Sequence, residues 1–476
     1  MVMGESQERT EVVVIGGGPG GYTAAFRAAD LGKQVALVEQ EKRLGGVCLL
    51  RGCIPSKALI TAAELLDRIR HAESMGIRVG QVQVDMPRLI AWKNSIIEEL
   101  ARGLESLARG RHITRYLGRA TFRSPHELFI HTADQPVLLR FDQAIIATGS
   151  QPVVPPPLQR GPRVLTSDEA LDLTEVPPSL LVVGGGYIGI ELGTCFADLG
   201  SQVTIVEMLD RLLPGTDPEL VRVVRKRLEQ RGVQVYLESK VTEARVGAQS
   251  VQVKIARSDG KTVEGEFATV LVAVGRRPNS DQLGLERVGV RTTEKGYIVI
   301  DQQCRTSVPH LFAIGDVTGP PALAHRARRQ GIVAAEVIAG LPAAFDNRTV
   351  PAVIFSDPEI AYCGLSEEEA VAAGYRVRVG RFRLGASGRA KTLNQTDGLI
   401  VVIAEEGTEV VLGVRMVGPH VSELIAEATL AIEMGATLED LIATIHAHPT
   451  LSEALLEAAE VCRGQAIHSL RPGKSQ

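Results

Sequence analysis

Two cysteines, Cys48 and Cys53, lie in the run Gly45-Gly46-Val47-Cys48-Leu49-Leu50-Arg51-Gly52-Cys53-Ile54-Pro55-Ser56-Lys57. At the first turn of a helix, this spacing brings two sulfurs within bonding range if the turn is distorted. Such a pair can close as a disulfide, open again and pass two electrons to a cofactor beside it. A helix N-terminus also lowers a thiol pKa and so favours the thiolate that exchange chemistry needs. The competing possibility is two buried thiols at a helix start; the flanking glycines and the nucleotide-binding pattern upstream weigh against it. A second reactive set sits near the other end, in His446-Ala447-His448-Pro449-Thr450-Leu451-Ser452-Glu453. There His448 can take a thiol proton while Glu453 orients it. Thr450 and Glu453 also have capping-box spacing, so on spacing alone Glu453 has two candidate jobs.

The elements that must position these residues are legible around them. Val12 to Ile15 forms a β-branched strand, Gly16-x-Gly18-x-x-Gly21 follows, an Ala-rich helix runs from Tyr22 to Leu31, and a second strand ends at Glu39. In such a βαβ unit the glycines allow the tight turn, the approach of a pyrophosphate and close helix packing. The helix N-terminus presents free N–H groups to phosphate, and Glu39 can accept a hydrogen bond from a ribose hydroxyl. The unit recurs: Gly184-x-Gly186-x-x-Gly189, then Gly200, then Glu207. Gly16 matches Gly184, Gly32 matches Gly200 and Glu39 matches Glu207 without a gap, which makes two unrelated tight turns a poor explanation. The first unit adjoins the cysteines, so its ligand should accept electrons from thiols: a flavin, hence FAD. The carboxylate of Glu207 favours a free 2′-hydroxyl, so NAD is expected over NADP in the second.

Three domains are expected from the length of 476 residues. Residues 1–150 hold the first unit, with helices over 59–75 and 89–108. Residues 151–277 hold the second. A segment over about 278–345, with Leu311-Phe312-Ala313-Ile314-Gly315-Asp316, returns to the first; Asp316 either binds the polyol chain of a flavin or caps a turn. Residues from 346 form an α+β association domain. The fold class is therefore α/β, with two Rossmann-like dinucleotide-binding domains and a C-terminal α+β dimerisation domain. A net charge of −4 and 4% aromatic content point to neither nucleic acid nor an anionic membrane. No apolar run reaches the length of a membrane span, and the start, Met1 to Thr10, lacks signal-peptide character. A cytoplasmic protein is expected, and no metal site.

The cysteine box, both glycine motifs, Ala147-Thr148-Gly149-Ser150, Gly275-Arg276-Arg277-Pro278-Asn279, Ala313-Ile314-Gly315-Asp316 and the His446–Glu453 box occur in one order. In this the chain resembles the flavin-dependent pyridine nucleotide-disulfide oxidoreductases from about Val12 to Gly464. The Ile-Pro-Ser-Lys ending and the C-terminal box favour the branch that oxidises dihydrolipoyl groups in 2-oxo acid dehydrogenase complexes. The resemblance implies that Cys48 is the outer sulfur that meets substrate, and that Cys53 lies against the flavin. It implies that Lys57 contacts the flavin and pairs with Glu191. It further implies that His448, oriented by Glu453, serves the disulfide of the partner subunit in a homodimer, with His446 structural. FAD contacts are expected from Gly16, Gly18, Gly21, Glu39, Cys48, Lys57, Gly118, Thr148, Gly149, Ser150, Asp316, Ala322, Leu323, Ala324 and His325. NAD contacts are expected from Gly184, Gly186, Tyr187, Gly189, Glu191, Glu207, Val241 and Gly275. Tyr187 can cover the flavin face or simply pack. The implied partner is a lipoyl-bearing acyltransferase.

The chain departs from the family pattern at Val47 and Leu49-Leu50-Arg51, within the cysteine loop. Arg326, Arg328 and Arg329 are expected to form a solvated face rather than a docking patch. Two alternatives are kept. One is a sister reductase using NADPH on a glutathione-like disulfide, against which Glu207 argues. The other is a nucleotide-binding docking protein without turnover, against which the intact Cys, Lys, Glu and His set argues. Mercuric ion reduction is disfavoured because Arg471–Gln476 holds no cysteine pair.

Overall fold

A computed structural model describes residues 6–469; the tail Arg471–Gln476 lies outside them. The first sheet is built on the strand Ser6–Ile15, paired in parallel with Val35–Glu39 on one side and Val137–Ile146 on the other. Its central residues Val12, Val13 and Val14 are fully buried, as continuous apolar runs in parallel strands require. Leu311–Ala313 adds to this sheet in parallel beside Val137–Ile146, so the late segment does return to it. The second sheet repeats the arrangement. Ser179–Val183 lies between Gln202–Val206 and Thr269–Val272, all parallel. A three-stranded antiparallel layer, Ser239–Val246, Val251–Arg257 and Thr262–Phe267, stands beside it.

The duplication holds at the level of single hydrogen bonds. Gly16 and Gly184 have φ of 107° and 113°, a region that glycine alone enters freely. Gly16 N–H donates to Val38 O at 2.8 Å and Gly184 N–H to Val206 O at 2.9 Å. A Cβ on Gly21 would lie 1.8 Å from Gly16 O, and one on Gly189 2.0 Å from Gly184 O. These third glycines exist so that helix and turn can touch.

The C-terminal unit is a five-stranded antiparallel sheet, in the order Ala352–Ile354, Glu359–Gly364, Val411–Gly418, Leu399–Glu405, Val377–Arg383. The helices Val421–Met434 and Glu453–Arg463 pack on it. One apolar core joins Leu59 and Ile60 beside the cysteines to Val182, Ile190 and Phe196 of the second unit and to Ile354 and Ile360 of the third.

The expectation about membrane spans needs one correction. The helical stretch Gly46–Arg70 is long and apolar enough, by length and composition, to cross a bilayer. It is broken at Gly52 into the helices Gly46–Arg51 and Cys53–Arg70. The second packs against the helix Tyr187–Leu199, so its apolar character serves the shared core.

Candidate active site

Gly52 has φ −141° and ψ −109°, outside helical values, and this break sets the two cysteines on separate helices. Both are free thiols in this structure, Cys48 half-buried and Cys53 exposed to a cleft. They interact with each other. The interaction with Cys53, then burial, pushes the Cys48 thiol well above the usual range. The interaction with Cys48 pulls Cys53 below its ordinary value against the opposing effect of burial, with Lys57 pulling the same way. The reduced pair is therefore asymmetric: a thiol at Cys48 and a thiolate-prone sulfur at Cys53.

The cleft has a volume of about 670 Å³. Gly16, Gly18, Glu39 and Gly118 line one part of it; Cys48, Cys53, Lys57 and Thr148–Ser150 line the middle. Asp316, Ala322 and Ala324 close one side, and Tyr187 and Glu191 enter from the second unit. Gly21 is buried beneath the loop. Leu323 and His325 are not among the lining residues; His325 Nε2 pairs instead with Pro351 O at 2.6 Å.

Lys57 Nζ donates to Glu191 Oε2 at 2.8 Å. Glu191 is only 5% exposed, and its other oxygen accepts from Phe355 N–H at 2.9 Å. Lys57 Nζ also stands 4.3 Å from the Phe355 ring centroid, within cation–π range. The ion pair thus joins all three units beside the cysteines.

Glu39 and Glu207 do something the spacing did not disclose. Glu39 Oε2 accepts from Gly17 N–H and Glu207 Oε2 from Gly185 N–H, both at 2.6 Å. Their second oxygens accept from Glu41 N–H and Leu209 N–H. Each carboxylate is buried and clamps its own glycine loop, keeping lone pairs for a ligand hydroxyl. Arg211, four residues past Glu207 and the nearest arginine that could take a 2′-phosphate there, is tied to its neighbour Asp210.

Ser150 Oγ donates to Asp316 Oδ2 at 2.6 Å and accepts from Arg276 Nε at 2.8 Å. Thr148 and Asn279 exchange hydrogen bonds at 2.8 and 2.9 Å, so the two glycine-turn motifs zip together at the cleft wall. Arg276 and Arg51 are lining residues that were not expected. The signal for Arg276 was its place in the second of those motifs. Arg51 reaches Glu41 at 3.1 Å and Asp168 at 3.3 Å. Gly184, Gly186, Gly189, Glu207, Val241 and Gly275 belong to the second unit and do not line this cleft; Val241 packs at the edge of an apolar core.

His448 Nδ1 and Glu453 Oε1 are 2.9 Å apart, and Glu453 Oε2 accepts from Thr450 N–H at 2.8 Å. One carboxylate therefore holds both His448 and the Thr450 turn, with one oxygen for each; the expected capping box does not form, because the helix Glu453–Arg463 starts from Ser452 rather than Thr450 and no side chain caps it. Burial resists its charge, but Thr450 N–H and His448 prevail and hold it below the usual carboxylate range. His448 is 80% exposed at its side chain and does not line the cleft of its own chain. His446 is nearly buried, between Thr444 O and Glu427. The arginine face also needs correction: Arg326 folds inward to Gly319 O at 2.6 Å and Thr318 Oγ1 at 3.3 Å, while Arg328 is exposed.

A sulfur pair and two glycine-loop units in one chain, with the first turn of the second unit reaching the sulfurs, define a nucleotide-linked thiol redox protein. The model of the pyridine nucleotide-disulphide oxidoreductase family matches residues 10–331, and that of the family's dimerisation domain matches residues 350–459. The chain belongs to this family. It is 46% identical to dihydrolipoyl dehydrogenase of Geobacillus stearothermophilus, over 98% of this chain and 99% of the relative. It is 43% identical to the Bacillus subtilis protein of the same name, over 99% and 100%. Among solved structures, LpdA from Mycobacterium tuberculosis superimposes with a TM-score of 0.88 at 30% identity, covering 95% of this chain and 99% of that one. The HOCl-induced flavoprotein disulfide reductase RclA from Escherichia coli gives 0.84 at 29% identity, covering 94% and 99%.

Proposed function

We propose that the chain is a homodimeric dihydrolipoyl dehydrogenase that uses FAD and NAD to oxidise the dihydrolipoyl group of an acyltransferase in a 2-oxo acid dehydrogenase complex. The observation that carries this is one cleft shared by both cysteines, the Lys57–Glu191 pair and the first glycine loop. The residues fit the cofactors. The helices Pro19–Asp30 and Tyr187–Leu199 begin at Gly18 and Gly186 with no side-chain cap, so their first-turn N–H groups remain for phosphate. Glu39, Ser150 and Asp316 would hold the ribose and polyol of FAD, and Glu207 the adenosine ribose of NAD. Bound FAD supplies the two-electron step between thiolate and nicotinamide.

The chain's own work is in the sulfurs and protons. His448 Nδ1–H donates to Glu453, which leaves Nε2 bare to take a proton from a substrate thiol. The thiolate so formed attacks Cys48, the Cys48–Cys53 bond breaks, and Cys53 leaves as the thiolate its environment favours. The second substrate thiolate then displaces Cys48 and closes the lipoyl disulfide. Two electrons and two protons leave the substrate; NADH carries away the pair and one proton, and the other is released. His448 stands outside its own chain's cleft, so His448 of the partner subunit serves Cys48, which makes the dimer the catalytic unit.

We assign residues 1–150 and 278–345 to the FAD unit, 151–277 to the NAD unit and those from 346 to dimerisation. The pairing of Leu311–Ala313 with Val137–Ile146 supports this division. A cytoplasmic setting suits a cysteine pair that cycles between dithiol and disulfide. The test is steady-state oxidation of dihydrolipoamide with NAD and with NADP, on the parent protein and on Cys48→Ser. Turnover should require NAD and vanish in Cys48→Ser, while flavin stays bound. A strong preference for NADPH-driven disulfide reduction would refute the assignment.

A further inference from the structure

The helix Cys53–Arg70 carries Lys57 near its start and Asp67 near its end; the helix Tyr187–Leu199 carries Glu191 near its start and Asp198 near its end. At the active-site end Lys57 and Glu191 pair. At the far end both aspartates converge on Arg231, whose side chain is 8% exposed. Arg231 Nε donates to Asp198 Oδ1 at 2.6 Å, Nη2 lies 3.5 Å from Asp67 Oδ1, and Nη2 also donates to Asp357. Arg227 reinforces the knot, donating to Asp67 at 2.8 Å and lying 3.5 Å from Asp357. Each of the three carboxylates comes from a different unit of the fold.

The segment Phe355-Ser356-Asp357 links the two ends. Its first residue donates its N–H to Glu191 and stands its ring against Lys57. Its third residue is gripped by Arg231. A buried guanidinium among three carboxylates is held in one geometry, because moving it would strand charge in a poor solvent. Glu191 Oε1 is thus bonded to a backbone N–H only two residues from the carboxylate that Arg231 grips.

We propose that Arg231 and Asp357 are positioning residues for the redox centre: through Phe355 they fix Glu191, and through Glu191 they fix where Lys57 stands beside Cys53. This rests on the proposed function, in which Lys57 and Cys53 face the flavin.

The test uses the FAD-bound dimer carrying Asp357→Asn, Arg231→Lys or Arg231→Met, each alone and on a Glu191→Gln background. The readouts are kcat and KM for NAD, the long-wavelength thiolate–flavin absorbance of the two-electron-reduced protein with its pH midpoint, the midpoint potential of the cysteine pair by thiol labelling, and thermal unfolding. Asp357→Asn should lower kcat about ten- to hundredfold, the size expected of a small misplacement at a reacting centre. KM for NAD should stay within about twofold, and the absorbance midpoint should move. Arg231→Lys should fall between Asp357→Asn and the parent. On the Glu191→Gln background none of the three substitutions should add more than about a further twofold, since residues that act in series are not additive. Variants that melt earlier yet keep the parent's kcat and absorbance would overturn the inference, as would full additivity with Glu191→Gln. If Arg231→Met does not fold, Asp357→Asn, which removes a charge but little volume, decides the matter. If the parent itself lacks the absorbance, the functional assignment falls and this inference with it; a normal parent with unaffected variants refutes the inference alone.

Discussion

The asymmetry between the two sulfurs comes from their interaction with each other and from the Lys57 charge. Cys48 is pushed up and Cys53 pulled below its ordinary value, so the proton of the reduced pair stays on the outer sulfur. The sign follows directly: the thiolate exists above the pKa of Cys53 and is lost as pH falls through it, so a depressed value extends the thiolate toward lower pH. Replacing Cys48 by Ser keeps an O–H donor; replacing it by Ala removes the donor. The thiolate absorbance of reduced protein should therefore titrate at a higher pH in Cys48→Ala than in Cys48→Ser, by about one unit or more if a hydrogen bond from residue 48 to Cys53 is worth about 1.5–3 kcal/mol. Equal midpoints in a spectrophotometric titration of the two variants would mean that no such bond shapes the asymmetry. The pairing of the two cysteines was legible because their spacing and context are specific. The direction of the asymmetry was not, since spacing does not say which sulfur keeps the proton. The double duty of Glu453 was half legible: holding the turn and holding the histidine looked like competing roles until each was found on a different oxygen, while the capping box itself does not form, since the helix starts from Ser452 and not Thr450.

At the scale of elements, glycines divide into those that fold the unit and those that leave room over it. A Cβ on Gly189 would lie 2.0 Å from Gly184 O, whereas one on Gly186 would meet nothing within 4 Å. Gly189→Ala should therefore prevent the second unit from folding correctly, seen as lost thermal cooperativity and lost expression. Gly186→Ala should fold, unfolding within a few degrees of the parent, yet raise KM for NAD by about tenfold, because the added methyl projects where phosphate would approach the free N–H groups. Unchanged NAD kinetics in Gly186→Ala would remove that loop from the nucleotide site. The two βαβ units could be found from sequence because their backbone demands admit few residues other than glycine. The Arg231 knot could not, since Asp67, Asp198, Arg231 and Asp357 are brought together only by the tertiary fold. The one local hint is Asp198, a charge in the otherwise apolar end Cys195-Phe196-Ala197-Asp198-Leu199. Arg326 failed for a related reason: a helix-surface arginine close to a preceding loop can turn back onto its carbonyls, which a charge pattern does not reveal.

At the scale of the whole molecule, the cysteines and the proposed proton acceptor, His448, lie in different places on one chain. The His448–Glu453 pair is ordered by its own turn, with the imidazole largely exposed. In the same domain, Leu430 and Met434 on the helix Val421–Met434 and Ile445 beside His446 are all exposed. Such apolar exposure in the family's dimerisation domain suits a face that a second copy covers. If the acceptor serves the other subunit, two dead variants should rescue each other. Cys48→Ser retains a working His448, and His448→Gln retains a working Cys48. In a heterodimer, the site built on the Cys48 of the second receives the His448 of the first and is complete, while the other site lacks both. Co-expressed with different affinity tags and purified through both, this heterodimer should show about half the parent's turnover of dihydrolipoamide, one intact site in two. Either homodimer should retain about a hundredth or less, given the weight of a lost nucleophile or a lost general base. Sites contained within single chains would give the opposite result, since every chain in the mixed dimer carries a lesion and none could turn over.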